Sequence, residues 1–193
     1  MTGQVMEYTP EELIAVIISR EVQDFETIGV GAASPIPAAG CILAEQLQAP
    51  QATIIILGSK EYYPFPAGGS EIHFLAQRGE LDLFFLSGIQ IDRRGNINLH
   101  VIGDYNSPQV RLPGAYGSAM LYYMAHRVIL FRTEHTRRTF VEKVDFIIYT
   151  LPRSQPLLET RVAIRERMIG KVVIGTGPKV SASKQVPLPG GPR

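Results

Sequence analysis

A single cysteine, Cys41, occurs in the 193 residues. One thiol excludes an internal disulfide framework and a multi-cysteine zinc site, and it fits a reducing compartment. An excess of one charge is missing too: 19 Lys and Arg stand against 18 Asp and Glu, a formal charge of +1. That balance excludes the global field by which nucleic acids or acidic membranes are attracted, and leaves only local basic patches. Long apolar runs are lacking as well, since stretches such as Leu13 to Ile18 fall far short of a membrane span. Met1 to Pro10 carries Glu7 and has no basic start followed by an apolar segment, so no signal peptide is read there. The expectation is a cytoplasmic protein that binds neither nucleic acid nor membrane.

What is present is enough for a core. Apolar residues make up 45% of the chain and charged residues 19%, a balance that argues against disorder. The length fits one domain over 1–193, with 150–193 as a weakly patterned C-terminal segment ending in the loop-like "PLPGGPR". Glycine and proline cluster at 29–40, 58–69, 88–95, 103–118 and 170–192, where the chain is expected to turn or to approach a ligand closely.

Between those clusters the pattern alternates. Thr9-Pro10-Glu11-Glu12 reads as a capping box opening a helix through Ile18. Thr27 to Gly31 reads as a strand, Pro37 to Gln48 as a helix, and Thr53 to Leu57 as a strand buried on both faces. Glu71 to Arg78 is a short helix. Leu81 to Leu86, Ile97 to Ile102, Arg127 to Arg132 and Val144 to Tyr149 are further strands. The spacing predicts an α/β fold with an open, largely parallel sheet and flanking helices.

In such folds ligands sit beyond the carboxyl ends of the strands. Gly29 and Gly31 in "GVGAASP" stand there, although Ser34 takes the place of a third glycine and the stretch matches no nucleotide fingerprint. A tight strand-to-helix turn is the plainer reading. After "LDLFFL", the loop from Ser87 to Asn96 offers a backbone N–H at Gly88 or Ile89 to a developing oxyanion, with Gln90 beside it. Gly114 and Gly117 lie in a second glycine-rich loop, read either as a ligand loop at a helix start or as a surface connection. His73, His100, His126 and His135 lack metal-ligand spacing, so no metal site is expected. Arg132, Arg137, Arg138 and Lys143 form a basic cluster, more simply a solvated face than a phosphate contact. Cys41 reads as a small core residue within a helix.

Taken together, "GIQIDRRGNINLHVIGDYNSPQVRLPGAYGS", the opening "YTPEELIAVIISREV", the turn "GVGAASPIPAAGCILAEQL" and the ending "RTFVEKVDFI" resemble the β subunit of family I coenzyme A transferases, close to the glutaconate type. The resemblance runs from about Tyr8 to Tyr149. It implies an open α/β sheet, an α-subunit partner of similar fold, an acyl-CoA substrate bound where the subunits meet, and no permanently bound cofactor. Coenzyme A then enters only as part of the substrate, with Gly29, Gly31, Gly114 and Gly117 as candidate contacts. The family's transferases use a glutamate in an E-[SN]-G motif, which attacks the thioester and carries the acyl group and then coenzyme A in turn. Leu57-Gly58-Ser59 stands where that motif belongs. A leucine side chain cannot attack a carbonyl. Ser59 and Glu61 remain the candidate catalytic side chains of that loop, and Gly88 and Gln90 those of the next.

The resemblance also reaches relatives that decarboxylate an unsaturated dicarboxylyl-CoA or hydrolyse a carbon–carbon bond in a ring-bearing CoA thioester, both through an enolate. That chemistry needs no covalent enzyme ester and is the expectation here. Ordinary CoA transfer is the first alternative, and a non-catalytic CoA-binding partner subunit the second. The family's β subunits continue past a segment like "LPGGPR" into further strands, whereas this sequence ends at Arg193.

Overall fold

Thr9 opens the first helix as its sequence requires. Its hydroxyl accepts the N–H of Glu12, whose carboxylate accepts the N–H of Thr9 at 2.7 Å, so two otherwise orphaned donors at the helix start are satisfied. The computed structural model describes residues 8–66, 68–148 and the backbone of 173–176. Along the chain run α1 (Pro10–Glu21), β1 (Thr27–Val30), α2 (Pro35–Leu47), β2 (Thr53–Ile56), α3 (Glu71–Gln77), β3 (Leu83–Leu86) and β4 (Gln90–Asp92). There follow β5 (Ile97–Asn98), β6 (Val101–Gly103), β7 (Pro108–Arg111), α4 (Ser118–Met124), β8 (Arg127–Leu130), β9 (Phe140–Val141) and β10 (Val173–Thr176).

The main sheet has the order β10-β8-β3-β1-β2, parallel throughout except for β10, which runs antiparallel to β8. The expected α/β class with an open, mostly parallel sheet and flanking helices is what forms. Its unbroken apolar strands follow from burial on both faces. Leu83, Phe85 and Ile129 join Ile14, Ile18, Val22, Cys41 and Ala44 in the layer under α1 and α2. Phe84, Leu86, Val128 and Leu130 turn the other way and join Ile72, Ala76, Leu121 and Tyr122 under α3 and α4. Among the described residues no helix is long and apolar enough to cross a membrane.

The two helices of the first layer touch through Gly40. A β-carbon there would lie 2.7 Å from Cγ2 of Ile18 and 2.8 Å from the carbonyl oxygen of Ala15. Helix propensity alone favours alanine over glycine by about 1 kcal/mol. The clash with a backbone atom cannot relax by a rotamer change, and overpacking of this kind costs about 1–3 kcal/mol. Gly40→Ala is therefore expected to be net destabilising, read as a lower urea midpoint.

Cys41, next in the chain, is completely buried. Burial and the Glu26 carboxylate push its thiol up to about 12. It is expected to resist a thiol-reactive disulfide reagent at pH 8 in the native protein and to react stoichiometrically once denatured. Fast labelling of the folded chain would refute its placement.

Two expected strands come out differently. Ile97 to Ile102 is split into β5 and β6, which belong to different sheets. The break is made by Asn98: its side-chain oxygen accepts the N–H groups of His100 (2.9 Å) and Val101 (3.3 Å), turning the chain between them. Val144 to Ile148 forms no strand at all. Asp145 instead accepts bonds from Gln90 Nε2 and from the N–H of Gly103, both at 2.9 Å, and Phe146 stacks on Tyr105. β4 pairs with β5 on one side and on the other with β9, just upstream of that segment. Tyr149 and the "PLPGGPR" stretch lie outside the described residues.

At the outer edge of β2, the loop that follows folds back, and the N–H of Ile56 donates to the carbonyl of Tyr62 at 2.8 Å. This fold-back sets the course of the loop carrying Leu57, Gly58 and Ser59.

Candidate functional site at the carboxyl edge of the sheet

The loops leaving β1, β2 and β3 converge with the loop before α4 to enclose a cleft of about 370 Å³. Gly31 and Ser34 come from the first loop, Leu57 from the second, Ser87 from the third, and Gly114 to Ser118 from the fourth, while α3 adds His73. This is where a parallel sheet places its ligands. A neighbouring depression of about 290 Å³ shares Ser34 and Ser87 and adds Arg132 and Thr133 beyond β8. A larger and open hollow of about 650 Å³ lies on the second sheet between Asp92, Arg93, Arg94, Glu142 and Lys143. The cleft is the better candidate despite its size, because three loops of the sheet's carboxyl edge and the loop before α4 build it.

Two non-glycine residues at the cleft rim hold left-handed backbone: Ala33 at φ 53° and Tyr116 at φ 50°. Such conformations cost on the order of 1 kcal/mol or more and concentrate at functional sites. Tyr116 is 84% exposed, so packing does not account for its strain. Gly114, at φ +97°, is a glycine for a plain reason, since its loop bends there against the His100 ring.

The candidate residues distribute unevenly over this geometry. Gly31, Gly114 and Gly117 line the cleft. Gly29 does not: it lies inside β1, and a β-carbon there would meet Ile72 Cδ1 at 2.8 Å and Phe84 at 3.1 Å. Its bare backbone makes room for α3, which corrects the ligand-contact reading. Ser59 also serves structure, its hydroxyl accepting the N–H groups of Glu61 (3.2 Å) and Tyr62 (3.0 Å). Glu61 is exposed and lies outside the cleft lining. Glu61→Ala is expected to leave stability within about 0.5 kcal/mol and turnover nearly unchanged.

Gly88 and Gln90 are packed into the structure and do not belong to the cleft lining. Gly88 is buried, with room for no side chain: a β-carbon would sit 2.6 Å from Ile97 Cγ2 and 3.0 Å from the Gln90 carbonyl. The N–H of Ile89 already donates to the Asn98 carbonyl at 3.0 Å, so it is not aimed at an oxyanion. Gln90 is 6% exposed. Its Oε1 accepts from Asn98 Nδ2 (2.7 Å) and from the N–H of Asp145 (2.9 Å), and its Nε2 donates to Asp145. The amide is spent on joining β4, β5 and the Asp145 turn. Ser87, one residue before Gly88, is the side chain of this loop that reaches the cleft.

Arg137, Arg138 and Lys143 are exposed, as a solvated face would be. Electrostatically the cleft is nearly bare: among the described residues that line it only His73 and Tyr116 are ionisable, and none is a carboxylate. His73 is the residue sequence reading passes over. Its sequence neighbourhood offers only the absence of metal-ligand spacing, and its partner Gly117 lies 44 residues away, a distance no local motif spans.

Comparison with known proteins agrees with this architecture. The profile of the Coenzyme A transferase family matches residues 3–176. The chain is 33% identical over 159 residues to the β subunit of 3-oxoadipate CoA-transferase of Pseudomonas knackmussii. It is 27% identical over 163 residues to the β subunit of glutaconate CoA-transferase of Acidaminococcus fermentans. Each alignment covers 72% of this chain and 60% of the relative, so the chain spans less than two thirds of those proteins' length. Among solved structures, the decarboxylase AibA/AibB superposes with a TM-score of 0.69 at 24% identity, over 78% of this chain and 70% of that one. On the family profile and the shared fold together, the chain belongs to the coenzyme A transferase family.

Proposed function

We propose that this chain is the β-type subunit of a heteromeric enzyme that acts on acyl-CoA thioesters, and that it works by stabilising an enolate rather than by forming a glutamyl ester. The observation that carries this reading is the composition of the cleft. Leu57 occupies the place after β2, and none of the described residues lining the cleft carries a carboxylate. Covalent transfer splits the reaction through an acyl anhydride and therefore needs a carboxylate nucleophile in reach of the thioester carbonyl. An enolate needs instead an apolar enclosure with donors aimed at the thioester oxygen. Phe84, Leu86, Leu57 and Leu121 supply the enclosure, and the hydroxyl of Ser87 is a side-chain donor on its wall. The adjoining depression with Arg132 gives an elongated thioester a second place to extend and a guanidinium at its far end. An α subunit of similar fold completes the site and brings any carboxylate the reaction uses.

Glutaconate-type or oxoadipate-type transfer is the second reading, favoured by the 33% identity to a CoA-transferase β subunit. The two part cleanly in one experiment. The chain, reconstituted with its α subunit, is incubated with glutaconyl-CoA and labelled acetate. Carbon dioxide without labelled acetyl-CoA supports the enolate reading. Label appearing as acetyl-CoA overturns it in favour of transfer.

A further inference from the structure

The His73 ring sits between two backbone carbonyls on opposite sides of the cleft rim. Its Nδ1 lies 3.3 Å from the oxygen of Gly69, just before α3, and its Nε2 lies 3.2 Å from the oxygen of Gly117, at the start of α4. A neutral imidazole has one N–H donor and one lone pair, so it satisfies one of these carbonyls and turns a lone pair on the other. The charged ring has two donors and satisfies both. Gly117 is where this fit is tightest: a β-carbon there would stand 2.5 Å from Nε2. The imidazole thus takes the space of a side chain at 117, and His73 belongs to the wall of a cleft that contains no carboxylate among its described lining residues.

We infer that His73 is the proton-transferring residue of this cleft, delivering a proton from Nε2 to the substrate carbanion. The inference rests on the enolate reading above and names the group that completes it. In a decarboxylation the carbon–carbon bond to the departing carboxylate breaks and carbon dioxide leaves. The electron pair passes into the dienolate of the thioester, and the Nε2 proton leaves its bond to the Gly117 carbonyl and forms the new carbon–hydrogen bond. The neutral ring is left with a lone pair facing the Gly117 carbonyl, and it recovers a proton from solvent. Nδ1–H on Gly69 holds the ring's orientation throughout, as a fixed partner does for other catalytic imidazoles. Tyr116, the other ionisable residue of the lining, is 84% exposed.

The test uses the chain with its α subunit. His73→Gln places an amide nitrogen near the position of Nε2, so it can still donate to Gly117 but cannot relay a proton. It is expected to lower carbon dioxide release from glutaconyl-CoA about 100- to 10,000-fold, the usual range for a lost acid–base group, with an unchanged melting temperature and partial recovery on adding imidazole. If His73 merely clasps the two loops, the glutamine variant keeps its turnover within a few-fold and imidazole changes nothing, and the inference is overturned. Should the glutamine variant fold poorly, His73→Asn with imidazole rescue decides the question in the same way. Deuterium uptake from heavy water into crotonyl-CoA is measured in parallel. A wild-type pair that releases no carbon dioxide sinks the decarboxylase reading. Uptake that is present in the wild type and lost in the variant upholds His73 on its own, and uptake that is absent from both, or equal in both, refutes it.

Discussion

Asn98→Leu is expected to destabilise the chain by about 3–5 kcal/mol, the range for breaking a buried hydrogen-bond network. Asn98 has no exposed surface. Its Nδ2 donates to Gln90 Oε1 (2.7 Å) and to the carbonyl of Val101 (2.6 Å), while its Oδ1 accepts the N–H groups of His100 and Val101. Leucine has the same branching and heavy-atom number but is bulkier, and it supplies none of the four bonds. Each buried group left unpaired costs about 1–3 kcal/mol, which outweighs the gain from burying two methyl groups, at about 0.8 kcal/mol per carbon. Asn98→Asp keeps both acceptor roles but turns a buried charge on the Gln90 and Val101 oxygens, so in a urea titration it is expected to lose at least as much as Asn98→Leu. A leucine variant as stable as wild type would show that the turn between β5 and β6 is held by something else.

Gly117→Ala is expected to reduce turnover about 100-fold, the scale on which a displacement of roughly 1 Å in a catalytic group is felt. Gly117 is exposed and its φ of −172° is not in the left-handed region that favours glycine, so the fold should survive at a cost of about 1 kcal/mol. The added methyl would nevertheless meet Nε2 of His73 at 2.5 Å, and the ring must move off the Gly117 carbonyl. The measurement is kcat for the reconstituted pair alongside a thermal melt. Retained kcat with an intact fold would mean that the position of the ring does not matter to the chemistry.

The two variants mark where the sequence is legible and where it is not. Strands β1, β2, β3 and β8 and helices α1 to α3 announce themselves locally. The Thr9 capping box, the unbroken "TIII" and "LFFL" runs, and the Pro35 and Pro37 start of α2 each need only their neighbours to be read. The segment from Gln90 to Ile148 is different, because its geometry is set by side chains that bond across 55 residues, as Gln90 and Asp145 do. Gln90 looks like chemistry because a polar residue in a glycine-rich loop is uncommon, and the same residue is needed as a buried staple. Gly88 and Gly29 mislead for a related reason: a glycine marks close approach, and here the approaching atoms are Ile97 and Ile72 rather than a ligand. Leu57 and the loop at Gly114 to Ser118 are legible because family likeness and cleft geometry point to the same place.

The fold-back after β2 also has a consequence for the chain on its own. "TIII" at the rim of a sheet is the kind of β-prone run that recruits a strand from another molecule. Its four-residue length and the Tyr62 carbonyl on Ile56 leave little ladder for a stray chain to extend. The loop that shapes the pocket thereby also guards the newly made polypeptide against polymerising along its own border.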